Sequence, residues 1–96
     1  MRTIKFPVMV DESLKPGDLL ADCLNPPRGE GVTVTEMGVR LPIAQKLRKA
    51  NSSIKLEEAE WEELVRSVNR TRWLMISEDI LALCRSVLDA KSSEAK

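Results

Sequence analysis

LEEAEWEELVRSVNRTRW, residues 56 to 73, decides how the rest of the chain is read. Trp61, Leu64, Val65 and Val68 recur at i, i+3, i+4 and i+7, one apolar stripe on a helix. The spacing predicts a helix from about Glu57 to Asn69 or Arg70. Its charges are sorted by sign. Glu57, Glu58, Glu60, Glu62 and Glu63 crowd the start, while Arg66, Arg70 and Arg72 crowd the end. Carboxylates at a helix N-terminus and cations at its C-terminus complement the macrodipole, at roughly 0.3–1 kcal/mol each. Glu62 and Arg66 also make a well-oriented i, i+4 pair. The arginines therefore have a structural explanation, and the acids one or two turns away repel phosphate. A nucleic-acid contact at VNRTRWLM (68–75) is the weaker reading.

Upstream lies TVTEMGVRLPIAQKLRKAN (33–51). Thr33 with Glu36 makes a capping box. Val34, Met37, Leu41, Ala44 and Leu47 follow helical spacing and are the expected inward face. Pro42 interrupts the pattern, because it cannot donate to Gly38 and its ring crowds that carbonyl. One kinked helix over Val34 to Ala50 is the first reading. The rival is a strand from Val32 to Thr35, then a helix with Pro42 in its first turn.

Asn51-Ser52-Ser53 reads as a turn, and Ile54 to Leu56 as an extended segment able to pair with an N-terminal strand, Thr3 to Val10. Pro7 argues for an edge or a bulge there. DESLKPGD is a turn, after which Asp18 is expected to cap a short helix, LLADCLN, with Leu19, Leu20, Cys23 and Leu24 inward. Pro26 and Pro27 stop it. Beyond Trp73, the run LMI is expected to be buried. Ser77 then caps a last helix with Glu78 and Asp79 in its first turn and Ile80, Leu83, Cys84 and Val87 as its stripe. Leu81 and Leu88 broaden that stripe, enough for two neighbours or a second chain. The fold class is mainly α with a small β element (α+β): about four helices plus a short two-stranded sheet. Residues 1–90 form one domain, and residues 91–96 (KSSEAK) a frayed tail.

Bulk composition narrows the function. Ninety-six residues make one small domain with a modest core and little room for a deep cleft. Fifteen basic and fifteen acidic residues cancel, so no overall basic field draws nucleic acid or anionic membrane. No apolar run is long enough for a membrane span, and MRTIKFPVMVDE lacks the long apolar region of a signal peptide. A cytoplasmic protein is expected, with Cys23 and Cys84 as reduced, buried thiols. The sequon Asn69-Arg70-Thr71 then reads as accidental. Histidine is absent, which removes the commonest general base and metal ligand. No metal or cofactor is expected.

Few residues suggest chemistry. Glu58 with Glu62, and Glu60 with Glu63, share helix faces but read as solvated carboxylates rather than an acid–base pair. A cysteine nucleophile would lack its histidine. NPPRGEG (25–31) is a loop without a Walker lysine or GxGxxG, so Arg28 reads as part of a connector or as a hold on an acidic partner. Tryptophan and arginine are enriched at interface hot spots. Arg28, Arg66, Arg70, Arg72 and Trp73 are therefore the candidate protein-contact residues, with ordinary packing as the alternative for Trp73.

GVTVTEMGVRLPIAQKL, LEEAEWEELVRSVNRTRW and SEDILALCRSVLDA, with the GDLL-like segment Gly17 to Leu20, together resemble small proteins of tailed bacteriophages and prophages. The resemblance spans Ile4 to Ala90 and rests on helix patterns. It implies a phage-encoded protein working in the host cytoplasm, and brings no activity with it. The expectation is a non-enzymatic protein-binding module that self-associates, with a phage or host partner. It would serve particle assembly or bind a host factor, including a defence protein. Its rivals are a nucleic-acid-binding regulator using the arginine end and the helix after Ser77, a small-ligand or nucleotide binder using the Arg28 loop, and, last, an enzyme.

Overall fold

Ile4 and Ile54 face each other across an antiparallel pair, β1 (Arg2–Lys5) and β2 (Ser53–Leu56), in the register Arg2 to Leu56 and Lys5 to Ser53. The alternation of β2 buries Ile54 and Leu56 and leaves Ser53 and Lys55 outside. The computed structural model describes residues 1–10, 13–26, 29–73 and 76–90 of the chain. In it the two strands combine with four helices, in the order β1, α1 (Pro16–Cys23), α2 (Val34–Lys49), β2, α3 (Glu58–Arg70) and α4 (Glu78–Leu88). The mainly helical α+β class follows from the sequence as expected. No helix among the described residues is long and apolar enough to cross a membrane. Residues 91–96 lie outside the described residues.

The first strand is shorter than the expected Thr3–Val10. One more bond, from the Phe6 N–H to the Ser52 carbonyl at 2.9 Å, extends the pairing. Pro7 has no N–H to continue it, and Val8 and Val10 are exposed. The Val10 N–H instead donates to the Asp79 carboxylate at 2.8 Å, tying this segment to the start of α4.

α1 begins before Asp18, not at it. Lys15 occupies the cap position and Pro16 opens the helix, where its missing N–H costs nothing. Asp18 sits in the first turn and pairs with Arg48 of α2 at 3.5 Å. Leu20, Ala21 and Cys23 are buried, and Leu19 packs against the core from its edge.

α2 settles the alternatives for residues 33–50 in favour of a single helix. Thr33 accepts from the Glu36 N–H at 3.1 Å, and Glu36 accepts from the Thr33 N–H at 2.9 Å, so the capping box is made. Pro42 lies inside the helix, but it and Gly38 are both exposed, so water can take the carbonyl the proline cannot serve. The inward face matches the expected one only at Ala44 and Leu47, which pack on the core. Ile43 and Leu47 are buried, whereas Val34, Met37 and Leu41 are exposed. Arg40 shares the side of Ile43 and Leu47, and its side chain turns to the Glu63 carboxylate and the Leu24 carbonyl, a placement that apolar periodicity alone does not suggest.

Leu64 and Val68 of α3 and Leu83 and Val87 of α4 complete the core with Ile4, Leu20, Leu47 and Leu56. Ser77 caps α4, as expected. Side chains tie down its C-terminal end: Trp61 Nε1 donates to the Val87 carbonyl at 2.9 Å, and Arg2 donates to the carbonyl of Ala90, just past the helix, at 2.7 Å. Arg2 also lies 4.0 Å above the Trp61 ring, a cation–π contact.

α1 and α2 approach most closely at Gly17, where a Cβ would overlap the Leu47 carbonyl oxygen. Gly38 faces open space. Gly17→Ala should therefore destabilise the fold by about 1–3 kcal/mol through overpacking. Gly38→Ala should stabilise it by about 0.5–1 kcal/mol through helix propensity. Urea unfolding of the two variants checks this; equal effects would mean that α1 does not pack this tightly on α2.

Candidate functional site

The acid-rich first half of α3 is fixed by cations from three other places in the chain. Arg2 grips Glu58 with Nε and Nη2, each at 3.0 Å. Lys46 of α2 reaches Glu60 at 2.7 Å. Arg40 of α2 reaches Glu63 at 2.8 Å, and Arg66 closes on the same carboxylate at 2.6 Å. Sequence spacing paired Arg66 with Glu62; in the structure it chooses Glu63, three residues back. Glu58, Glu60 and Glu63 are not merely solvated either, since each has a cationic partner, whereas Glu62 stays exposed.

Their protonation follows. The hydrogen bond from Arg2 holds the Glu58 carboxyl below the ordinary range, against a small effect of burial. Burial pushes Glu60 up, but Lys46 and the Glu57 N–H outweigh it and leave the carboxyl lowered. Arg66 foremost, then Arg40, keep Glu63 low against burial. These shifts are opposite to those a general acid needs near neutral pH. Burial raises both thiols, Cys23 and Cys84, which is opposite to the activation a cysteine nucleophile needs.

The second half of α3 carries the candidate contact residues. Arg70 is exposed and only touches the Asn25 carbonyl, at 3.5 Å, the outer limit of a hydrogen bond. Arg72 is exposed and has no partner among the described residues. Both line an open cleft of about 880 Å³ with Asn69, Asn25, Asp22 and Glu30. Arg66 lies one turn back, neutralised by Glu63. Trp73 is half-buried and packs against the core. Arg28 lies outside the described residues, so its proposed role in the loop has no structural counterpart here.

On the other side of the α3 end runs an apolar groove of about 370 Å³, lined by Trp73, Ile76, Ile80, Leu81, Cys84 and Leu88 among others. Leu74 and Met75 of the LMI run lie outside the described residues. Ile76, expected to be buried, is fully exposed. It precedes the cap Ser77, and the inward face of α4 starts only at Asp79 and Ile80. Leu81 and Leu88 are 55% and 40% exposed, so the broadened stripe of α4 does extend beyond its own core.

Arg40 was missed by sequence reasoning. Its side chain is only 11% exposed and spans Glu63, Glu36 at 3.4 Å and the Leu24 carbonyl at 3.4 Å. The available signal was its i+4 position from Glu36; the acid on α3 that draws it inward is distant in sequence. Comparison with protein-family models, curated proteins and solved structures finds no match for this chain.

Glu63 makes the electrostatics testable. Its folded-state carboxyl titrates below the ordinary 4.5, so the fold favours the ionised form. That stabilisation is complete above the ordinary value and is lost as pH falls from there through the lowered native value. Glu63→Gln should lower stability at pH 7 and reduce the loss of stability on acidification below about 4.5, relative to the parent chain. Denaturant unfolding from pH 7 to pH 3 reads both. Parallel curves for the two proteins would contradict the pairing.

Proposed function

We propose that this protein is a non-enzymatic protein-interaction module whose contact surface is the edge formed by the end of α3 and the outer side of α4. The observation that carries this reading is the exposed apolar groove at Trp73, Ile76, Leu81 and Leu88, with Arg72, next to Trp73 in sequence, exposed and without a partner among the described residues. An apolar centre with aromatic and arginine neighbours is the composition of interface cores. The candidate chemical groups favour the same reading: the glutamates serve as structural anchors and the thiols are raised. The resemblance of the helix pattern to small phage and prophage proteins supports a role in the host cytoplasm, in particle assembly or in binding a host factor.

The nucleic-acid alternative has less behind it. Arg66 is neutralised, and Asp22 and Glu30 line the same cleft as Arg70 and Arg72. A phosphate backbone would meet carboxylates there.

A tagged chain, incubated with nuclease-treated host lysate, should capture a protein partner in stoichiometric amount. Arg70→Ala with Arg72→Ala should abolish the capture while the melting temperature stays within roughly 2 °C, since both side chains are exposed. Trp73 is unsuitable for this test because it packs on the core. Capture unaffected by the double substitution, or seen only when the nuclease is omitted, would overturn the reading.

A further inference from the structure

The outer face of α4 carries a pattern that complements itself. Glu78, Leu81, Arg85 and Leu88 stand at i, i+3, i+7 and i+10, so charge and leucine alternate along one side of the helix. All four are exposed. Glu78 and Arg85 have no partner among the described residues, unlike the glutamates of α3. Ile76, fully exposed just before the helix, prolongs the apolar line.

We propose that this face binds a second copy of the chain, with the two α4 helices antiparallel about a two-fold axis beside Leu81. The charges choose the occupant and the register. With the axis between Leu81 and Ala82, Glu78 of each copy meets Arg85 of the other, and Ile76 of each falls opposite position 87, one residue from Leu88 of the other. The ion pair and the apolar contact are each made twice, as an isologous interface requires. Moving the axis to Cys84 and Arg85 would pair Leu81 with Leu88 but set the two Arg85 side chains against each other, which like-charge repulsion disfavours. Antiparallel packing also places opposite helix dipoles side by side. The net charge of zero leaves no long-range repulsion between copies. The surface is three helical turns long, at the small end of specific interfaces, so the dimer is weak.

This inference rests on reading the α3–α4 edge as a protein-contact surface, but it assigns only the α4 side, leaving Arg70 and Arg72 to another partner. Sedimentation velocity on the full chain from about 10 µM to 1 mM tests it. The parent should shift from monomer to dimer over that range. Arg85→Glu and Glu78→Arg should each raise Kd about tenfold, by turning two attractions into two repulsions. The combined Glu78→Arg/Arg85→Glu chain should return to within about threefold of the parent. Thermal melts confirm that each variant is folded; if Glu78→Arg unfolds through its place in the first turn, Arg85→Glu and the double variant still decide. A parent that stays monomeric, single reversals without effect, or a double reversal that fails to restore the dimer would each overturn the proposal. Partner capture through Arg70 and Arg72 would survive any of these results, which separates this inference from the function it builds on.

Discussion

The Arg40–Glu63 pair is the constraint on which the arrangement of the helices depends. Both side chains are almost removed from solvent, at 11% and 13% exposure, and neither would be buried alone without a large desolvation cost. Their meeting fixes which side of α2 turns toward α3. Once Arg40 is inward, Ile43 and Leu47 follow it into the core, and Val34, Met37 and Leu41 are left outside. The apolar stripe of α3 then covers what remains, and Arg66 completes the pair by closing on Glu63 from the solvent side. Arg70, one turn on, and Arg72, just past the helix end, form no ion pair among the described residues, although Asp22 and Glu30 line the same cleft.

A second cluster does the same for the other end of the molecule. Arg2 holds Glu58, covers the Trp61 ring and donates to the last carbonyl region of α4. Trp61 adds its own donor to Val87. One residue of β1 thus ties three elements together, and α4 is anchored at its C-terminus by side chains rather than by a glycine cap. At its other end, Asp79 receives the Val10 N–H. Anchored at both ends and along Ile80, Leu83 and Val87, α4 can leave its outer leucines uncovered.

Local chemistry was legible in the sequence. The capping box at Thr33 and Glu36, the cap at Ser77, the stripe of α3 and the pairing of Ile54 with the N-terminal strand depend on neighbours within a few residues or on strict alternation. What was not legible depended on distant residues. The face of α2 was misread because apolar periodicity alone omits an arginine whose acid lies on another helix. Glu58, Glu60 and Glu63 looked solvated because Arg2 of β1 and Lys46 and Arg40 of α2, which reach them, are distant in sequence. Asp18 was passed over as a cap because Pro16, two residues earlier, already suits the first turn. Of the candidate site, the exposure of Arg70 and Arg72 follows from their place at the polar end of α3, whereas Trp73 lines a separate groove and the exposure of Ile76 beyond the cap gave no local sign.

These anchors bear on function because they assign Glu58, Glu60 and Glu63 to structure, while Ile76, Leu81 and Leu88 of the α3–α4 edge stay exposed. The most direct measurement is the titration of the glutamate side-chain carboxyls by carbon-detected NMR in the folded chain. Glu58, Glu60 and Glu63 should all titrate below the ordinary 4.5. A value raised toward neutrality at any one of them would contradict the account, because a protonated carboxyl there would be free of its cation and available for acid–base chemistry.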